Sequence, residues 1–346
     1  MTNKKFKLAA MSLATAVAVS TVGPSASAVT YHLEEGDVIV GQDGTGAYSY
    51  QNKTNGQTSN VYVDTDNENN GQIIITQTEG TTTDNTVTVE ENVTNKDGDR
   101  DVDIILDGVN VDTSDTSTPT DTPTEVPADA DTKEDKTIIK VGEGADVDLT
   151  VKDSTLTTGG NGIDIGVNLE GEDENKETNV DLTLDHTEIN LTENATAGIN
   201  ARDNSDVDIT LKGDNTIDGS EAIDKVTEGG GHDISKDNVN IEGIRVGGEG
   251  ASDSSDASEG ANTKLTISGG VEKTETAETD TEETESPAGG SLTISDTTGG
   301  LVMADGSDVE ITDGANVTIE ETKTSGSTQA GRGVTQHGDL TISGGS

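Results

Sequence analysis

At 346 residues the chain has room for one large domain or two smaller ones, yet it carries 68 acidic against 20 basic residues and a net charge of −48. That balance excludes nucleic-acid binding and sets the chain against anionic lipid, and the absence of cysteine leaves nothing to staple. One phenylalanine, no tryptophan and four tyrosines, none beyond Tyr62, leave most of any core to Val, Ile and Leu, a composition that permits disorder unless repetition supplies order.

Residues 1–28 read as an export signal: Lys4, Lys5 and Lys7, an apolar stretch from Leu8 to Val22, and Ala26-Ser27-Ala28 before Val29. The run is too short and too rich in Ser and Thr for a membrane anchor. Its removal takes away three lysines and moves the net charge from −48 to −51. The expected destination is outside the cell, secreted or at the cell surface, without membrane insertion.

Residues 29–95 repeat poorly and read as an N-terminal β segment or cap, with strands at 37–40, 60–63, 72–76 and 86–89. Tyr48 and Tyr50 flank Ser49 on one strand face; burial in the cap is preferred over a sugar-stacking platform.

From residue 96 to 346 one alternating phrase keeps returning: DVDIIL at 101–106, DVDLTV at 146–151, NVDLTL at 179–184, DVDITL at 206–211 and DVEIT at 308–312, with KLTIS, SLTIS and DLTIS as short forms. Strict alternation marks strands with one buried and one wet face. Between them stand Gly-apolar-x-apolar phrases (GIDI at 162–165, GINA at 198–201, GIRV at 243–246, GLVM at 300–303) and a third set at 188–191, 215–218 and 316–319. Three short strands and three Gly/Asp/Asn turns per cycle of 27 residues, measured from Val180 to Val207, describe a coil of an all-β, single-stranded parallel β-helix. A sandwich array would use longer strands and larger core residues. Polar insertions at 112–136, 169–178, 247–262 and 271–290, the first holding most of the prolines, are expected to be disordered acidic loops. The chain stops at Ser346 just after DLTIS, and a missing C-terminal portion is expected because solenoids need capped ends.

If the coils stack in register, outward side chains form columns about 4.8 Å apart. One column would hold Asp148, Asp181 and Asp208, with Asp103 and Glu310 as extensions; a second would run through Asp101, Asp146, Asn179, Asp206 and Asp308; Thr150, Thr183 and Thr210 would make a third. Like charges at that separation repel by about 1 kcal/mol in water. Repeating so unfavourable an arrangement suggests bound Ca²⁺, whose tolerant shell of six to eight oxygens suits stacked carboxylates. A solvated acidic face, screened over about 8 Å, is the competing reading. No EF-hand loop or calcium-binding nonapeptide is present.

Catalytic signals are thin. His186 follows Asp185 at a strand–turn junction and reads as a turn residue; Arg245, the one candidate base for a uronic acid, reads as a charge partner.

With the leader, the acidic coils and the Gly/Asp turns assembled, the chain resembles secreted, right-handed, pectate-lyase-like β-helix proteins of anaerobic Gram-positive bacteria, described as carbohydrate-binding domain-containing. The resemblance rests on DVDIILDGVNV at 101–111, ADVDLTVKDSTLTTGGNGIDI at 145–165 and SDVDITLKGDNTI at 205–217. It implies a surface location, calcium on the coil exterior and affinity for plant polysaccharides such as cellulose or pectic acids. The chain departs from a lyase pattern in lacking a catalytic Arg beside clustered Asp ligands. The expected function is therefore a monomeric, non-catalytic binder of polysaccharide, assisted by Ca²⁺ on Asp103, Asp146, Asp148, Asp181, Asp206, Asp208, Asp308 and Glu310. A structural stalk or adhesin and a polysaccharide lyase are the alternatives.

Overall fold

The computed structural model describes residues 29–42, 48–54, 57–63, 73–93, 102–114, 136–169, 176–223, 241–248, 262–270, 289–320, 322 and 331–346, with the backbone alone for 29, 42, 48–54 and 57–63. Among these residues the strands assemble into three sheets of nine, six and ten members. The first sheet stacks β1 (Val29–His32), β5 (Ile73–Thr76), β7 (Val102–Asp107), β10 (Asp146–Lys152), β13 (Thr178–Asp185), β16 (Ser205–Lys212), β19 (Lys264–Gly269), β22 (Asp308–Thr312) and β25 (Asp339–Ser343). The second holds β8 (Asn110–Asp112), β11 (Thr155–Thr158), β14 (Glu188–Leu191), β17 (Asp214–Asp218), β20 (Ser291–Ser295) and β23 (Asn316–Glu320). The third holds β2 (Val38–Gln42), β3 (Tyr48–Thr54), β4 (Gln57–Val63), β6 (Val87–Val89), β9 (Ile139–Gly142), β12 (Asn161–Val167), β15 (Ala197–Ala201), β18 (Glu242–Val246), β21 (Gly299–Met303) and β24 (Arg332–Gln336).

From β7 onward the chain visits the sheets in the fixed order first, second, third, and each strand pairs in parallel with its counterpart one coil on. This is the parallel β-helix that the repeat predicts. The stretch read as an N-terminal β segment or cap supplies strands of the same sheets: β1 and β5 belong to the first sheet, β2 and β6 to the third. Only the hairpin β3–β4 departs, adding two antiparallel strands beside β2. The leader (1–28), Asp101, and the bulk of the four insertions (115–135, 170–175, 249–261 and 271–288) lie outside the described residues, as do the side chains of Tyr48 and Tyr50.

Alternation places the core. On β10 the residues Val147, Leu149 and Val151 are buried and their neighbours half-exposed; β13 and β16 match residue for residue, so Val147, Val180 and Val207 stack, as do Leu149, Leu182 and Ile209. Each such side chain contributes about 1.5–3 kcal/mol on full burial. These aliphatic ladders do the work that aromatic residues do in other cores.

The Gly-apolar-x-apolar phrase has a packing cause. Gly162, Gly198, Gly243 and Gly300 each face an isoleucine Cγ2 of the second sheet, respectively Ile189, Ile217, Ile294 and Ile319. A Cβ at any of them would collide with that methyl and with a glycine carbonyl of the next coil. The turn from first to second sheet is made by left-handed residues at Gly108 (φ 67°), Asp153 (φ 47°), His186 (φ 53°) and Gly213 (φ 60°). His186 is thus a turn residue, as its context suggests, with Nδ1 2.8 Å from Asp185 Oδ1. Just beyond that turn, buried Ser154, Thr187 and Asn215 answer backbone groups: Thr187 Oγ1 donates to the Val151 carbonyl at 2.7 Å, and the Thr187 amide donates to Asn215 Oδ1 at 2.9 Å. Polar side chains at this corner stand in for the hydrogen bonds a turn cannot make for itself.

Candidate functional site

The outward residues of the first sheet form four files along the solenoid. The carboxylate file runs Asp103, Asp148, Asp181, Asp208, as predicted, but then continues through Thr266 before reaching Glu310 and Thr341. Glu310 is therefore cut off from the other acids by a threonine. The second file runs Asp146, Asn179, Asp206, Lys264, Asp308, Asp339. Lys264 stands between Asp206 and Asp308, which the expected column of Asp101, Asp146, Asn179, Asp206 and Asp308 placed in succession, and its Nζ lies 3.1 Å from Asp206 Oδ2. The hydrogen bond and charge of Asp206 hold that ammonium above its usual range.

The third file is a lane of hydroxyls: Thr150, Thr183, Thr210, Ser268, Thr312. Ser343 Oγ lies 3.3 Å from Thr312 Oγ1 and carries the lane one coil further. On β7 the matching position is Ile105. The fourth file alternates in sign, Asp107, Lys152, Asp185, Lys212. Lys152 and Lys212, the lysines expected nearest the acidic columns, belong to this separate ladder. Lys152 Nζ is 3.9 Å from Asp107 Oδ2, a separation at which exposed pairs contribute little.

Between the carboxylate file and the hydroxyl lane runs a groove of about 590 Å³, lined by Asp103, Ile105, Asp148, Thr150, Asp181, Thr183, Asp208, Thr210, Thr266, Ser268, Thr312 and Asp313 among others. It takes only a few residues from each of six strands, so it runs across the strands and along the solenoid axis. A smaller hollow of about 200 Å³ adjoins it, lined by Asp146, Asn179, Asp181, Asp206 and Asp208. Six of the eight residues expected to hold calcium thus border these two depressions; Asp308 and Glu310 do not.

Each coil offers at most one outward carboxylate per file, whereas Ca²⁺ takes six to eight oxygens, so an ion held here would draw on more than one file and coil. Among the described residues no three His, Asp or Glu side chains converge to hold a metal.

A second polar cluster, unforeseen from the sequence, lies on the third sheet. Asp164, though it points away from the core, is 2% exposed. It accepts hydrogen bonds from Asn161 Nδ2 (2.9 Å), Asn200 Nδ2 (2.8 Å) and Arg202 Nε and Nη2 (both 2.9 Å). Asn200 sits in register between Asp164 and Arg245, and Arg245 donates from Nε to Glu242 Oε2 at 2.5 Å. Arg245 is thus a buried charge partner on the third sheet, outside the groove, in keeping with its bland reading. The signal that would have found this cluster is the charged x in GIDI and GIRV, but alternation alone marks that x as solvated.

Among the described residues no helix is long and apolar enough to cross a membrane. The coils and the groove define the class: a parallel β-helix with a polar, axis-parallel groove on one sheet. Comparison with family models, with curated proteins and with solved structures finds no match to this chain.

Proposed function

We propose that the chain is an exported, non-catalytic binding protein that holds an extended polysaccharide along the outer face of its first sheet. The observation that carries this reading is the groove, which crosses six stacked strands and offers carboxylate and hydroxyl groups at coil spacing. Sugar hydroxyls both donate and accept, which suits acceptor-only carboxylates on one wall and hydroxyls on the other. Arg202 and Arg245 are engaged in ion pairs away from the groove, which supports binding over lyase chemistry. The resemblance to pectate-lyase-like carbohydrate-binding proteins supports the same reading, although fold transfers more readily than ligand. Export to the cell surface rests on the leader at 1–28.

Calcium enters conditionally. An acidic chain laid on the carboxylate file needs a divalent ion between the two sets of charges, whereas a neutral chain does not. A second reading, a stalk that binds no sugar, is supported by the unbroken stacking of the first sheet. Retention on immobilised cellulose and on pectate, with and without chelator, tests these readings. Retention on either supports the binder, and loss on chelation identifies a calcium bridge. Free passage through every matrix leaves the stalk.

A further inference from the structure

Building on the polysaccharide-binding reading above, we infer that the groove recognises an uncharged polysaccharide through its lane of hydroxyls, without a metal ion. Among the described residues the lane carries hydroxyls on five of the six strands that line the groove, β10 to β22, and gives way to Ile105 on β7: Thr150, Thr183, Thr210, Ser268 and Thr312 pair in succession, and Ser343 touches Thr312. The carboxylate file, by contrast, changes to Thr266 at β19, and the second file changes to Lys264 on the same strand. A ligand that relied on the acid file would lose its contacts beyond β16, after four of the six strands; one that relied on hydroxyls keeps them from β10 through β22.

Charge leads to the same ligand class. Among the described residues the lining contains Asp103, Asp148, Asp181, Asp208 and Asp313 and no Lys, Arg or His. A polyuronate would set its own carboxylates against this wall, and no three described carboxylates converge to hold a bridging ion. A neutral sugar meets no such opposition. Its hydroxyls donate to the carboxylates, which accept only, and exchange hydrogen bonds in either direction with the threonines. The hydroxyl lane therefore supplies the repeated contact, and the acids orient the donors.

Affinity electrophoresis in gels containing hydroxyethylcellulose or polygalacturonate, run with EDTA or with Ca²⁺, tests this. The neutral polymer is expected to retard the wild-type chain equally in EDTA and in Ca²⁺. The double variant Thr183→Val/Thr210→Val keeps the shape of the wall, removes two hydroxyls, and is expected to bind about tenfold more weakly. Thr183→Ser/Thr210→Ser restores the hydroxyls and is expected to restore retardation, which separates their role from any change in folding. Unchanged binding by the valine variant overturns the inference, as does neutral-polymer binding that needs Ca²⁺. Retardation by polygalacturonate with Ca²⁺ alone overturns it while leaving the polysaccharide reading in place. No retardation by either polymer removes both.

Discussion

Gly198 lies directly against Ile217: a Cβ on the glycine would stand 2.6 Å from the isoleucine Cγ2 and 2.8 Å from the Gly243 carbonyl oxygen. The first neighbour is a rigid β-branched side chain and the second is backbone, so neither gives way cheaply. Gly198→Ala is therefore expected to destabilise the fold by about 1–3 kcal/mol, the usual cost of overpacking. Gly108→Ala makes the contrasting control, since nothing lies within 4 Å of its Cβ position and only its φ of +67° opposes the change. Its cost should be about 1–2 kcal/mol from backbone strain alone. Urea unfolding compares the two; a Gly198→Ala chain as stable as wild type would show that the third sheet can slide away from the second.

Asp164 makes a sharper case, because one carboxylate 2% exposed serves Asn161, Asn200 and Arg202 together. Removing it takes away the shared acceptor of two buried amides and one hydrogen-bonding and charge partner of the Arg202 guanidinium. Asp164→Ala should cost about 1–3 kcal/mol, the usual penalty for leaving buried hydrogen-bonding groups without their acceptor, since the Arg202 side chain itself is partly exposed. The double variant Asp164→Leu/Arg202→Met removes both charges and should recover part of that loss, since well-packed apolar replacements are often near neutral. Thermal melting of the two variants decides it: equal melting points would mean that the cluster does not act as a coupled pair.

How much of this was legible in the sequence depends on how far apart the partners lie. Period-two alternation in DVDLTV and its repeats was enough to place Val147, Val180 and Val207 inward and to align Asp148, Asp181 and Asp208, since register follows from the phrase itself. Lys264 and Thr266 escaped because KLTIS, recognised as a shortened strand, is a full member of the first sheet and takes its own place in the carboxylate, second and hydroxyl files. The glycine stack escaped for another reason. Gly198 is required by Ile217, which sits on a different sheet, and no local pattern links the two. The Asp164 cluster escaped because burial of an outward position is a tertiary outcome, opposed to what alternation alone predicts.

The N-terminal coil carries a pH dependence centred on Glu34. Burial pushes this carboxyl up, but hydrogen bonds from the Thr78 hydroxyl and amide and from its own backbone, aided by His32, outweigh that and hold it below its ordinary value of 4.5. A depressed carboxyl favours the folded state above the unfolded-chain value, and the contribution fades as pH falls through the lower folded value. The contact between the turn after β1 and the end of β5 is thus expected to loosen on acidification below the usual glutamate range. Hydrogen exchange at the Thr78 amide, compared at neutral pH and below that range, reads this locally. Glu34→Gln should raise exchange at neutral pH and flatten the pH profile; an unchanged profile would assign the acid sensitivity to other carboxylates.

Lys264 tests whether charge on the outer face of the first sheet matters to stability. It stands between Asp206 and Asp308 in the second file, with its ammonium held above 10.5 by Asp206. A raised lysine contributes fully below the unfolded-chain value and loses that contribution as pH rises through the folded one, so the pair is intact at neutral pH. Lys264→Glu would place four acids in succession, from Asp206 to Asp339, and directly opposed like charges on adjacent strands are unfavourable. The melting temperature of the variant is expected to fall in low salt and to recover towards wild type near physiological ionic strength, where screening acts over about 8 Å. Lys264→Met removes the pair without adding a repulsion and should fall between the two. A loss that salt does not change would mean that the lysine acts through the packing of its stem over the strand rather than through its charge.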